Sequence, residues 1–163
     1  MNFNIYFNMK YLKNISFFIT KESIVTNIQR EELLDFAAGY TTREDAIEDF
    51  DNLNNYYDKL PDNVILHRVV FLDDIKDLDE NALGQHWIED EIDNDLIKRL
   101  KEINDINTNP YFIVAEFKKT DIDFFETLNN NMNFPNEEEI TLKSDNIKPQ
   151  TYKIYTHRNY SKR

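Results

Sequence analysis

Glu137 and Glu139, within the run from Phe134 to Lys143, are the groups in this chain whose type and spacing best suit chemistry. The run reads as a turn at Pro135 and Asn136 feeding a strand, and strand side chains alternate between faces. Glu137, Glu139 and Thr141 then share one face. Glu138, Ile140 and Leu142 share the other, with Ile140 and Leu142 marking the core side. Two carboxylates about 7 Å apart on a cleft-facing or solvent-facing surface result. A fixed carboxylate stabilises the positive charge that develops on a sugar when a glycosidic bond breaks, and a second can orient or deprotonate an acceptor. Arg68 is the next candidate. It interrupts, with His67, the apolar run from Val64 to Leu72, and an arginine in so apolar a strand needs an anionic partner. Its planar fork suits a pyrophosphate. His86 and Trp87, just after Gly84, set a ring donor beside an aromatic face that can cap a heterocycle.

Each of these residues also has a plain reading. Acid-x-acid spacing recurs at Asp49 and Asp51, Asp77 and Asp79, and Glu89 and Glu91, so a solvated face produces the same pattern. Arg68 can serve a structural ion pair. A lone histidine among apolar neighbours is commonly a packing residue, and a single tryptophan is a natural core anchor. Asp77 to Asn81 begins like a calcium loop, but Ala82 and Ile88 stand where glycine and a bidentate glutamate are needed. No glycine-rich phosphate loop, zinc-protease helix or serine-hydrolase turn is present.

The elements that must position these groups fall in two parts. Short aromatic strands are expected within Asn2 to Ile19. A helix follows from Thr26 to Ala38, closed by Gly39 as a left-handed cap, and a second starts at Thr41 with Glu44 completing a capping box. Its apolar positions Ala46, Ile47, Phe50, Leu53 and Tyr57 recur at helical spacing until Pro61 stops it. From there the pattern turns to strands at Val64–Leu72, His86–Ile88, Tyr111–Phe117, Glu138–Lys143 and Tyr152–Tyr155. One helix, Glu91–Ile103, carries an Ile92, Leu96, Leu100 and Ile103 stripe. Asn129 to Asn131 reads as loop.

Composition bounds the class. A chain of 163 residues, 40% hydrophobic and 13% aromatic, can bury one core and reads as a soluble globular protein. Nineteen basic against 31 acidic residues give a net charge of -12, which argues against binding a phosphate backbone and for a basic macromolecular partner. Without cysteine there is no thiol nucleophile, disulfide or cysteine-ligated zinc. No segment reads as a membrane span, and the apolar stretch from Lys13 to Ile19 is short for a signal peptide, so a cytoplasmic protein is expected.

Arg68 on one strand and a Glu-x-Glu on a later one resemble the ADP-ribosyltransferase superfamily in its arginine/serine/glutamate branch. There an arginine in the first core strand holds NAD, a Ser/Thr strand follows, and a Glu-x-Glu strand ends the site. Here the order is Leu66 to Arg68, Leu83 to Ile88, a helix, Tyr111 to Glu116, then Glu137 to Leu142. The Ser-Thr-Ser motif is not matched. Ile88 stands where the family favours a hydroxyl, so the bond that steadies Glu139 must come from elsewhere.

The resemblance implies an α+β protein, a mixed split β-sandwich over residues 62–157 with N-terminal helices of 1–61 packed against it and a tail at 158–163. It implies NAD-dependent mono-ADP-ribosylation of a protein, on arginine, with NAD as substrate. Arg68 would hold NAD, with His67, His86 and Trp87 lining the pocket. Glu139 would be catalytic and Glu137 would direct the acceptor. Thr127 to Asn136 would be a substrate-recognition turn, using Phe134 and Asn136. Small stand-alone versions are typical of phages and bacterial toxins, which would place the protein in a host cytoplasm. The competing expectation is a non-catalytic acidic protein that binds a basic partner.

Overall fold

The computed structural model describes residues 24–104, 106–134 and 138–161. The strands expected within Asn2 to Ile19 lie outside the described residues, as do Pro135, Asn136, Glu137 and the side chain of Ile103.

Thr26 caps helix α1 (Asn27–Ala37) reciprocally, its hydroxyl accepting from the Gln29 amide while the Gln29 side chain accepts from Thr26 N. Gly39 is not the left-handed cap expected. The chain leaves the helix through short-range bonds instead, from Gly39 N to Phe36 O and from Tyr40 N to Ala37 O. Helix α2 (Arg43–Asp58) starts one residue later than the sequence suggests, because the second of two adjacent threonines takes the cap. Thr42 accepts from Asp45 N at 3.1 Å and donates to Asp45 Oδ2 at 2.7 Å, so Asp45 replaces Glu44 as the acid of the cap.

Strands β1 (Asn63–Leu72), β2 (His86–Ile88), β3 (Asn109–Lys118), β4 (Glu139–Thr141) and β5 (Thr151–Thr156) form one sheet in the order β4-β2-β1-β3-β5. Every pairing is antiparallel. The α+β class is as expected. The sheet is not mixed, and the described residues form a single sheet rather than a split sandwich. Helices take the place of a second sheet. On one face α1, α2 and the β3–β4 connection bury Leu33, Leu34, Phe50 and Leu128 against Leu66, Trp87, Phe117 and Ile140. The N-terminal helices therefore share the core of the sheet. On the other face helix α3 (Asn94–Asn104), between β2 and β3, brings Ile97 beside Ile92, Phe112 and Tyr160.

Two further elements depart from expectation. Residues 158 onward do not start as a tail: helix α5 (His157–Tyr160) stacks the buried Tyr160 ring on Phe112 at 4.2 Å between centroids, and Ile92 N donates to its hydroxyl. Thr127 to Asn133 is not a turn. Helix α4 (Phe124–Asn133) runs through the three asparagines, capped by Asp123, whose carboxylate accepts from Glu126 N at 3.1 Å. Its Phe124, Phe125, Leu128 and Met132 supply the packing that overrides the asparagines' turn preference.

Candidate functional site

The ladder between β1 and β2 holds a single registered pair, His67 with Ile88. Continued, that register would set Val69 opposite His86. The His86 carbonyl instead accepts from Arg68 Nη1 at 2.7 Å, so a guanidinium fills the seam between the two strands. Gly84 makes this possible. Its φ of +93° is a left-handed value, and a Cβ there would lie 2.6 Å from the Arg68 guanidinium carbon and from both terminal nitrogens. Arg68 Nε is buried without a hydrogen-bond partner. Burial lowers the Arg68 pKa, and the charge of Glu139 opposes that shift. The anionic partner expected from sequence is thus felt through space, while the direct partner is a carbonyl.

Glu139 sits on β4, across β2 from Arg68. The alternation read from sequence holds: Ile140 and Leu142 are buried in the core, and Thr141 shares the face of Glu139. Ile88 is the registered partner of Glu139 and offers it no hydroxyl. Three other donors converge on Glu139 Oε1. Asn130 Nδ2 donates at 2.9 Å, Thr141 Oγ1 at 2.9 Å, and His86 Nδ1 stands at 2.6 Å. Toward an ionised Glu139, which only accepts, His86 would donate from Nδ1. Asn130 Nδ2 also donates to Thr141 Oγ1, which locks the hydroxyl that serves the carboxylate. Oε2 has no hydrogen bond among the described residues. The Glu139 side chain is 18% exposed and that of His86 58%.

Arg68 and Glu139 line one cavity of about 290 Å³, together with His67, Val69, His86 and Ile88. Its far wall comes from the start of α3 and the loop before it, where Ile92, Leu96 and Leu100 are joined by Arg99. Arg99 is a second cation that the sequence reading missed. Its place three residues after Leu96 on the apolar stripe was the available signal, since residues at that spacing share a helix face.

His67 is buried, with Nδ1 at 2.6 Å from the Tyr160 hydroxyl, and borders the cavity. Trp87 borders it but is only 1% exposed. Its indole donates to Gly84 O at 2.9 Å and its ring meets Phe117 edge-on at 4.9 Å, so it anchors the core and has no free face for a stacked heterocycle. Phe134 is exposed after α4 and lines neither this cavity nor the larger one near α2. Asn136 and Glu137 lie outside the described residues. Among the described residues no cluster of three or more His, Asp or Glu side chains can hold a metal ion, and no helix is long and apolar enough to cross a membrane.

The chain matches no family model, and no curated protein or solved structure is significantly similar to it.

Proposed function

We propose that this chain is an NAD-dependent protein mono-ADP-ribosyltransferase with arginine as acceptor. The observation that carries the reading is the state of Glu139, with Oε1 fixed by three donors and Oε2 open in a cavity that Arg68 also lines. Release of nicotinamide from its ribose develops positive charge on the sugar. A carboxylate already held in place stabilises that charge without reorganising, and its free oxygen can accept from a ribose hydroxyl. Asn130 and Thr141 do for Glu139 what a hydroxyl at Ile88 would otherwise do.

The rest of the cavity supports the same substrate. In a chain of net charge -12, two arginines lining one space provide the local cation a pyrophosphate needs. A volume of about 290 Å³ suits the nicotinamide and its ribose better than a whole dinucleotide. In this reading Arg68 and Arg99 hold the pyrophosphate, His86 and Glu139 face the ribose, and Glu137 directs the acceptor. One observation favours a second reading, a non-catalytic acidic protein for a basic partner: Arg68 Nη1 is tied to a backbone carbonyl, a structural use of the arginine.

Nicotinamide release from NAD, with and without an arginine-bearing acceptor protein, tests the proposal. Wild type should release nicotinamide, and Glu139→Gln should lower the rate at least about a hundredfold while the protein stays folded. No release by wild type in either condition overturns the enzyme reading in favour of the second.

A further inference from the structure

A larger cavity, about 590 Å³, lies between α2, the end of α1 and the outer side of β4. Glu138, just before β4 with a φ of +47°, borders it, while its neighbour Glu139 lines the smaller cavity. Three further carboxylates, Asp49, Glu89 and Asp90, stand around it, and no lysine or arginine does. None of the four is in an ion pair among the described residues. Elsewhere on the same two helices acids are paired, Glu31 and Asp35 with Arg43 and Asp51 with Arg30. The cavity thus gathers four carboxylates with no cation among its lining residues.

Its other walls are aromatic. Tyr40, Tyr56 and Tyr57 line it, Tyr40 almost fully exposed and Tyr56 about half. Tyr56 donates to Glu89 Oε2 at 2.6 Å, which sets a ring and a carboxylate side by side. The carboxylates do not converge tightly enough to hold a metal ion, so an extended cation with several donors and a flat face fits them better than an ion does. The geometry points to a binding site for the arginine side chains of a basic partner protein, with guanidinium groups lying against the tyrosine rings and met by Asp49, Glu89, Asp90 and Glu138.

Arginine is preferred to lysine because its plane stacks on an aromatic face, is weakly hydrated, and offers five donors to spread acceptors. The Tyr56 pKa is raised first by its hydrogen bond to Glu89 and then by burial, and Asp90 and Glu138 add in the same direction. The site stands whether or not NAD is cleaved next door, since it shares no residue with the smaller cavity.

The test is fluorescence anisotropy on the full chain without NAD, using a labelled, end-blocked hexapeptide of alternating arginine and glycine. Its control replaces each arginine by citrulline, which keeps shape and removes charge. The arginine peptide should bind and the citrulline peptide should not. Glu89→Gln with Glu138→Gln should weaken binding about tenfold, since the paired charges act at contact distance. Asp73→Asn with Asp79→Asn, an equal charge change outside the cavity, should alter it less than about twofold. No binding of the arginine peptide, equal binding of the citrulline peptide, or equal loss in the two double variants would each overturn the assignment. Because nothing here depends on nicotinamide release, failure of the enzyme reading leaves this result separate.

Discussion

Asn131 faces Glu139 as a neighbouring strand would: its Oδ1 accepts from Glu139 N at 3.0 Å and its Nδ2 donates to Glu139 O at 2.6 Å. Thr127 continues the imitation, its hydroxyl accepting from Thr141 N at 2.9 Å, and Asp123 N donates to Thr141 O at 2.9 Å. The outward backbone groups of the short edge strand β4 are therefore satisfied by helix α4 and its cap. Replacing Asn131 with Ala leaves the Glu139 amide and carbonyl unpaired, and a buried unpaired polar group costs about 1–3 kcal/mol. The variant should lose about 3 kcal/mol of stability in urea unfolding. A loss below about 1 kcal/mol would show that the helix does not hold the strand in this way.

Asn130, one residue earlier, holds the carboxylate itself. Asn130→Ala removes one of the three donors on Glu139 Oε1 and the lock on Thr141. If the proposed chemistry is correct, kcat for nicotinamide release should fall about tenfold with KM little changed, because the lost bond pre-organises the group that acts in the transition state. A rise in KM at unchanged kcat would assign Asn130 to binding instead.

These two asparagines also mark where the sequence stops being legible. The long strands are readable because Val64 to Leu72 and Tyr111 to Phe117 are apolar runs that no helix stripe explains. Arg68 is readable as an interruption of such a run, His86 as a ring donor beside Trp87 after Gly84, and Glu139 from its spacing to Glu137, with Thr141 legible as its face-mate. Asn129, Asn130 and Asn131 carry a turn preference that only tertiary packing of Phe125 and Leu128 reverses, so the helix bearing the supports of Glu139 is hidden from local pattern. Trp87 and Tyr160 fail differently. Trp87 carries two readings, a pocket-lining ring and a core anchor, and Tyr160 falls in the stretch expected as a tail; burial makes both core residues.

Gly84 and Arg68 should behave as a coupled pair. A methyl group at Gly84 meets the guanidinium at 2.6 Å and also strains a backbone at φ +93°. Gly84→Ala should cost about 2–3 kcal/mol in the native background, against about 1 kcal/mol, the backbone share alone, when Arg68 is already Met. Thermal or urea unfolding of the four proteins gives the coupling. Equal costs in both backgrounds would mean that the guanidinium does not rest on Gly84.

Stability at high pH should depend on Tyr56. Its hydrogen bond to Glu89, then burial, then the nearby carboxylates push its pKa up to about 12 from 10.0. Burial raises Tyr57 in the same direction. Between pH 10 and 12 the unfolded chain has released a proton that the folded chain keeps. The stability this contributes is therefore complete below pH 10 and declines as pH rises toward 12. Tyr56→Phe should flatten that decline in urea unfolding measured across the interval. An unchanged slope would exclude Tyr56 as its source.

The seam at Arg68 also bears on motion. Ten registered pairs join β1 to β3, and one joins β1 to β2. The long strands thus form one well-bonded slab, and β2, β4 and α4 a second, joined in backbone bonding by His67–Ile88 and a guanidinium on a carbonyl and in packing by the core that Trp87 and Ile140 share with Leu66 and Phe117. With so few backbone bonds, this boundary rests on the shared core, and local opening there is easier than between β1 and β3. Amide hydrogens in the centre of β1 and β3 should exchange only on global unfolding, and those of His86 to Ile88 by a cheaper opening. The cavity would then widen along its own wall.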